Sequence, residues 1–167
     1  MSKFKIYNGP MPTTAAQASV ATGTAVKTML QLKASKGLII TGWGYSLDTE
    51  QAAAGTVELL QTDVAATVTA FATADIVSVA TPSVASSLTK GTSSSGYTGS
   101  AEGSITATSV FDAVRLGVST TYGSDLLYVR TFSKDERPYL PVGKFLRVRV
   151  TAGTSAGMIC WVSWLEY

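Results

Sequence analysis

Period-two alternation of apolar and polar residues runs through much of this chain and predicts half-buried β-strands. In the stretch Lys144 to Thr151, Leu146, Val148 and Val150 share one face, while Phe145, Arg147 and Arg149 share the other. Six turn-forming residues follow at 152–157, and then Met158 to Glu166 is apolar on both faces. The pair reads as an antiparallel hairpin that closes the fold, its second strand lying centrally in a sheet. Ala25–Lys33 and Leu38–Leu47 read as strands joined by a turn at Lys36-Gly37. Gly42 and Gly44 alternate with Trp43 and Tyr45, which points to a bulge or a close backbone approach. Further strands are expected at Thr56–Gln61, Ile105–Phe111 and Asp125–Phe132, with weaker ones at Thr67–Phe71 and Ile76–Val79. The alanines between Asp48 and Gly55 allow one helical turn in a loop, and Ala113–Val118 a short turn.

Two segments lack the strand pattern. Residues 8–24 are uncharged and contain two prolines; residues 80–104 are rich in Ser, Gly and Thr. Loops longer than about 12–15 residues are uncommon in compact domains unless functional or disordered. Residues 1–24 are therefore read as an N-terminal arm, and residues 25–167 as one β-sandwich domain with a long loop at 80–104. Short strands with Gly, Pro and Ser turns and no internal repeat give an all-β, jelly-roll-like antiparallel sandwich.

Composition narrows the surface. Charged residues make up 14% of the chain, against about 25% in an ordinary domain. Ser, Thr, Gly and Ala must cover much of the exterior, which suits either wide subunit contacts or a neutral monomer. A net charge of +2 is too small for a nucleic-acid footprint. No apolar run reaches the roughly 18 residues of a membrane-spanning helix. With a single cysteine, Cys160, in an apolar run and no secretory pattern at the N-terminus, folding in a cytoplasm is expected.

Candidate chemistry is sparse. Gly91-Thr-Ser-Ser-Ser-Gly-Tyr-Thr98 has the glycine spacing of a phosphate loop, but Tyr97 stands where the lysine belongs and no helix pattern follows. A small-residue loop is expected there. Ser87-Leu-Thr-Lys90 matches a serine-acylase signature whose companion motifs are missing. Without histidine no Ser-His-Asp device exists, and no Cys/His cluster offers a zinc site. The 11 carboxylates are scattered, so a calcium site made partly of carbonyls, or an acid pair assembled in space, stays open. Trp43, Trp161 and Trp164 are expected in the core. No cofactor is expected.

A set of segments in order carries a resemblance. Tyr7-Asn8-Gly9, Thr22 to Thr28, Gly42-Trp-Gly-Tyr-Ser46, Val57-Glu-Leu-Leu60, Ser95 to Gly103 and Val142 to Val150 resemble virion proteins of tailed bacteriophages, of the capsid decoration (cement) kind. The resemblance spans nearly the whole chain. It implies a jelly-roll or related sandwich, often trimeric, on the outside of an icosahedral shell. Such a protein clamps neighbouring subunits of the major capsid protein and has neither catalysis nor cofactor. Its partners would be the major capsid protein and copies of itself, with no nucleic acid or membrane; it would be made in the bacterial cytoplasm and reside on the virion surface. The alternative is a tail- or fibre-associated module that binds glycans or a receptor. No residue is carried over from the family as a site. The interface residues expected from this chain are Phe4, Tyr7 and Pro10 of the arm, Arg137 and Tyr139 of the 134–139 loop, and Arg147 and Arg149.

Overall fold

The computed structural model describes residues 1–11, 14–79, 84–118 and 126–167. Two antiparallel sheets pack face to face as a β-sandwich. Sheet A contains β1 (Ser2–Tyr7), β2 (Val20–Ala21), β4 (Leu38–Leu47), β7 (Val77–Ser78), β10 (Leu127–Thr131), β11 (Tyr139–Leu140) and β13 (Gly157–Glu166). Its order is β10-β4-β13-β1-β7, with β11 continuing the edge beside β4 and β2 flanking β13. Sheet B contains β3 (Lys27–Lys33), β5 (Gly55–Thr62), β6 (Thr67–Ala70), β8 (Gly96–Ala101), β9 (Ser109–Leu116) and β12 (Phe145–Thr151), in the order β6-β8-β3-β12-β5-β9.

Alternation determines what each sheet sends inward. From sheet A, Phe4, Ile6, Ile40, Trp43, Tyr45, Val162 and Trp164 enter the core. Sheet B supplies Leu30, Leu32, Val57, Leu59, Leu146, Val148 and Val150. Each such side chain, fully withdrawn from water, contributes about 1.5–3 kcal/mol before the entropy of ordering it is counted. Cys160 is buried among them, and burial pushes its thiol pKa up, so it behaves as a small hydrophobe.

Several expectations are corrected here. Residues 144–151 and 158–166 are strands, but not a hairpin: β12 pairs with β3 and β5, whereas β13 pairs with β4 and β1. The connection crosses from one sheet to the other, and so does the turn between β3 and β4. The central position expected for residues 158–166 holds, since β13 lies between β4 and β1. Residues 2–7, expected in an N-terminal arm, form a strand of sheet A. β1 pairs along its length with β13, and Phe4 stacks on Trp164 at a centroid distance of 5.7 Å. Asn8 continues the attachment, donating to the Met158 carbonyl at 3.0 Å and accepting from the Cys160 amide at 2.8 Å. The segment 80–104 is not loop throughout either, because Gly96–Ala101 forms β8. Residues 113–116 belong to β9, which starts at Ser109 and not at Ile105. The loop between β4 and β5 contains no helical turn. Asp125 and residues 80–83 lie outside the described residues.

Candidate interaction face

The two outer faces of the sandwich differ. On sheet B, the outward residues of β12 are Phe145, Arg147 and Arg149, beside Gln31 of β3 and Glu58 of β5. These side chains hold down the chain that leaves β8. Arg147 donates to the carbonyls of Glu102 (3.1 Å) and Ser104 (3.2 Å), to the Glu102 carboxylate (3.3 Å), to the Gln31 side chain (3.0 Å), and to the Val64 carbonyl. Glu102 in turn accepts from the Thr28 amide and hydroxyl, both at 2.6 Å. Arg149 binds Glu58 at 2.9 Å and reaches the Ile105 carbonyl. Burial lowers the pKa of Arg147, Glu102 opposes that shift, and the full set of acceptors keeps a charged guanidinium tolerable there. The arginines expected at a partner interface are thus spent on their own chain, and Arg147 is 0% exposed.

Sheet A presents its outer face differently. The register of β10, β4, β13 and β1 aligns outward residues in rows: Leu127, Ser46 and Ile159; then Val129, Gly44, Trp161 and Tyr7; then Thr131, Gly42, Ser163 and Lys5. Tyr139, Ile39, Leu165 and Lys3 form a further row. Leu127 is 66% exposed, Tyr139 56% and Val129 55%. Charge on these rows comes from Lys3 and Lys5; they contain no carboxylate.

Glycine shapes the middle of this face. A Cβ on Gly44 would lie 2.5 Å from the Tyr128 carbonyl and 3.0 Å from the Trp161 indole, so only glycine lets the indole lie flat on β4. Lys5 covers that indole with its ammonium 4.3 Å from the ring centroid and stands 4.8 Å from the Tyr7 ring. A bulge opposite Ser163 turns Thr41 outward beside Gly42, where its hydroxyl meets that of Ser163 at 2.8 Å. The result is a shallow cleft of about 190 Å³ lined by Lys3, Lys5, Thr41, Thr131, Trp161 and Ser163.

The residues expected at an interface fall into separate environments. Tyr7 and Tyr139 stand on the outer face of sheet A, and Pro10 is exposed just beyond β1. Phe4 is 1% exposed and belongs to the core, contrary to expectation, because it is the inward residue of a paired strand. Arg147 and Arg149 lie on the opposite side of the molecule from Tyr7. Arg137 is half-buried beside β11. Trp43 and Trp164 are in the core as expected, whereas Trp161 faces outward. Sequence reasoning missed Trp161, Lys5, Leu127 and Val129 as face residues. Their parity along the alternating strands was the available signal.

The remaining candidates for chemistry are occupied structurally. Gly91–Ser95 is a tight turn in which the Ser94 amide donates to the Gly91 carbonyl and the Ser95 amide to that of Thr89; it feeds a strand, not a helix. Asp112 on β9 accepts from Trp43 Nε1 (2.9 Å), Tyr128 Oη (2.8 Å), Arg130 (2.8 Å) and the Ala113 amide (3.1 Å). Those donors fill the acceptor sites of a carboxylate, which suits a staple between the sheets and not a general base. Burial, then the neighbouring Asp112, raises the Tyr128 phenol pKa. Among the described residues no group of three or more His, Cys, Asp or Glu is placed to hold a metal ion, and no helix is long and apolar enough to cross a membrane. Comparison with protein-family models, with curated proteins and with solved structures gave no match.

Proposed function

We propose that this chain is a structural binding protein that fastens to other protein subunits through the outer face of sheet A. In line with the virion proteins it resembles, that surface is the outside of an icosahedral phage shell, and the chain acts as a decoration protein with no catalytic step. The observation that carries the reading is the asymmetry of the sandwich. One outer face is tied under its own chain by Arg147 and Arg149, while the other displays Leu127, Val129 and Tyr139, with Trp161 half-buried beneath Lys5. Exposed apolar and aromatic side chains with little charge among them match the composition of an interface core. Lys3 and Lys5 favour a partner that brings carboxylates to the rim. Partners on this reading are the major capsid protein and further copies of the chain, at the virion surface, after synthesis in the bacterial cytoplasm. The jelly-roll connectivity implied by the resemblance belongs to the same proposal.

Co-sedimentation with emptied phage shells tests it. Wild-type chain is expected to pellet with shells, Val129→Glu and Trp161→Glu to stay largely in the supernatant, and Arg115→Ser on the far sheet to pellet as wild type. Equal pelleting of all variants, or purified virions that lack the chain, would overturn the proposal.

The cleft supports a second reading, a glycan- or receptor-binding module. An aromatic wall above the Thr41, Thr131 and Ser163 hydroxyls is the kind of surface on which a sugar ring packs and hydrogen-bonds. A glycan array separates the two: selective signal lost in Trp161→Ala favours the module, and a blank array with shell binding intact favours decoration.

A further inference from the structure

Among the described residues β10 lies at the end of sheet A, with β4 on one side. The Leu47 amide donates to the Leu126 carbonyl at 2.8 Å, and the Phe132 amide to the Thr41 carbonyl at 3.0 Å. The Tyr128 and Arg130 carbonyls also point at β4, since they are the atoms that a Cβ on Gly44 or Gly42 would strike. In an antiparallel ladder alternate residues direct their N–H and C=O groups to opposite sides. The even-numbered residues of β10 therefore bond to β4, and Leu127, Val129 and Thr131 aim theirs off the sheet.

Natural edge strands are guarded by lysine, proline, bulges or covering chain. β10 reads Leu-Tyr-Val-Arg-Thr, with exposed Leu127 and Val129 at two of the outward-bonding positions. It is also held firmly, because Tyr128 and Arg130 both bind Asp112 of β9. An ordered edge loses little conformational freedom on pairing.

We propose that β10 pairs with β10 of a second copy of this chain, antiparallel about a twofold axis centred on Val129. In that register Val129 faces the partner's Val129, and Leu127 faces the partner's Thr131. On the inner side Tyr128 faces the partner's Arg130. Shifting the strands by two residues toward the C-terminus would oppose Arg130 to its own copy, which like-charge repulsion disfavours. The self-pairing register matches all of β10, whereas the other edge of sheet A, β7, has only Val77–Ser78 to offer. A twofold axis perpendicular to the sheet keeps both outer faces on the same side. The two A sheets then form one continuous sheet with a face twice as wide.

The mass of the full-length chain in solution, measured by sedimentation without any shell present, tests the pairing independently of what the face binds. Wild type is expected at the mass of two chains. Val129→Pro removes an N–H that points off the sheet, so the chain keeps its own bonds and drops to the mass of one. Val129→Lys keeps the backbone and is expected to do the same, which decides the matter if the proline variant does not fold. Val129→Cys is expected to form a disulfide-linked pair in air, since Cys160 is buried and out of reach. A one-chain or three-chain mass for wild type, or a two-chain mass unchanged by both Val129→Pro and Val129→Lys, would overturn the proposal.

Discussion

Asp112 shows at the scale of one residue how this sandwich is closed. Its carboxylate sits on the last strand of sheet B and takes donors from β4 and β10 of sheet A. Asp112→Ala would leave the buried Trp43 N–H without its acceptor, at a cost of about 1–3 kcal/mol. Thermal unfolding should show that loss with the far-ultraviolet β signature intact. Glu166, at the end of the central strand β13, also contributes, and its contribution depends on pH. Burial works to raise its pKa, but bonds from Ser86, Trp164 and Ser87 prevail and hold the carboxyl below the usual glutamate range. A depressed folded-state pKa contributes stability above the unfolded value, lost as pH falls through the folded value. Melting temperature should therefore fall as pH is taken below about 4. Glu166→Gln should melt lower than wild type at neutral pH and show a flatter dependence in that acid window. Phe4 separates core from interface: Phe4→Ala is expected to cost about 3–5 kcal/mol in a denaturant titration, a penalty that a residue on a free arm would not incur.

At the scale of elements, the loop from Glu102 to Thr106 owes its position to Arg147 and Arg149. Removing one partner of a buried ion pair costs about 3–5 kcal/mol. Arg147→Leu should therefore lower stability and speed amide hydrogen exchange across residues 102–108 more than across β4 or β13. Much of the strand content was legible beforehand, because alternation in residues 144–151, 38–47 and 125–132 reports a two-sided environment directly. Pairing was not. β12 and β13 are separated by a short turn-rich stretch, as hairpin strands are, and nothing in their alternation says that the chain changes sheets between them. β9 was obscured for a different reason. As an edge strand it turns Asp112 toward the inter-sheet boundary and leaves Val110 exposed, which inverts the usual signal. β1 was hidden because its inward residues are only Phe4 and Ile6, too few for period to announce a strand. For the face itself, the glycines at 42 and 44 correctly signalled close approach, but not that an indole and the β10 carbonyls were what approached.

The whole molecule is organised around unequal sides. A charge-poor composition suits either wide subunit contacts or a neutral monomer, and it carries no address. The placement of Arg147 and Arg149 beneath a loop, of Val129 and Tyr139 in the open, and of Trp161 half-buried beneath Lys5 on the same outer face, depends on strand parity and sheet order together. The virion reading follows from the resemblance, and the choice of sheet A as the contact surface follows from the fold. The most direct measurement is an electron cryo-microscopy map of the chain added to emptied phage shells. The account predicts that the side of sheet A bearing Trp161 and Val129 lies against capsid subunits, with the loop at 102–106 turned to solvent. A map with that loop against the shell and Trp161 facing outward would contradict it.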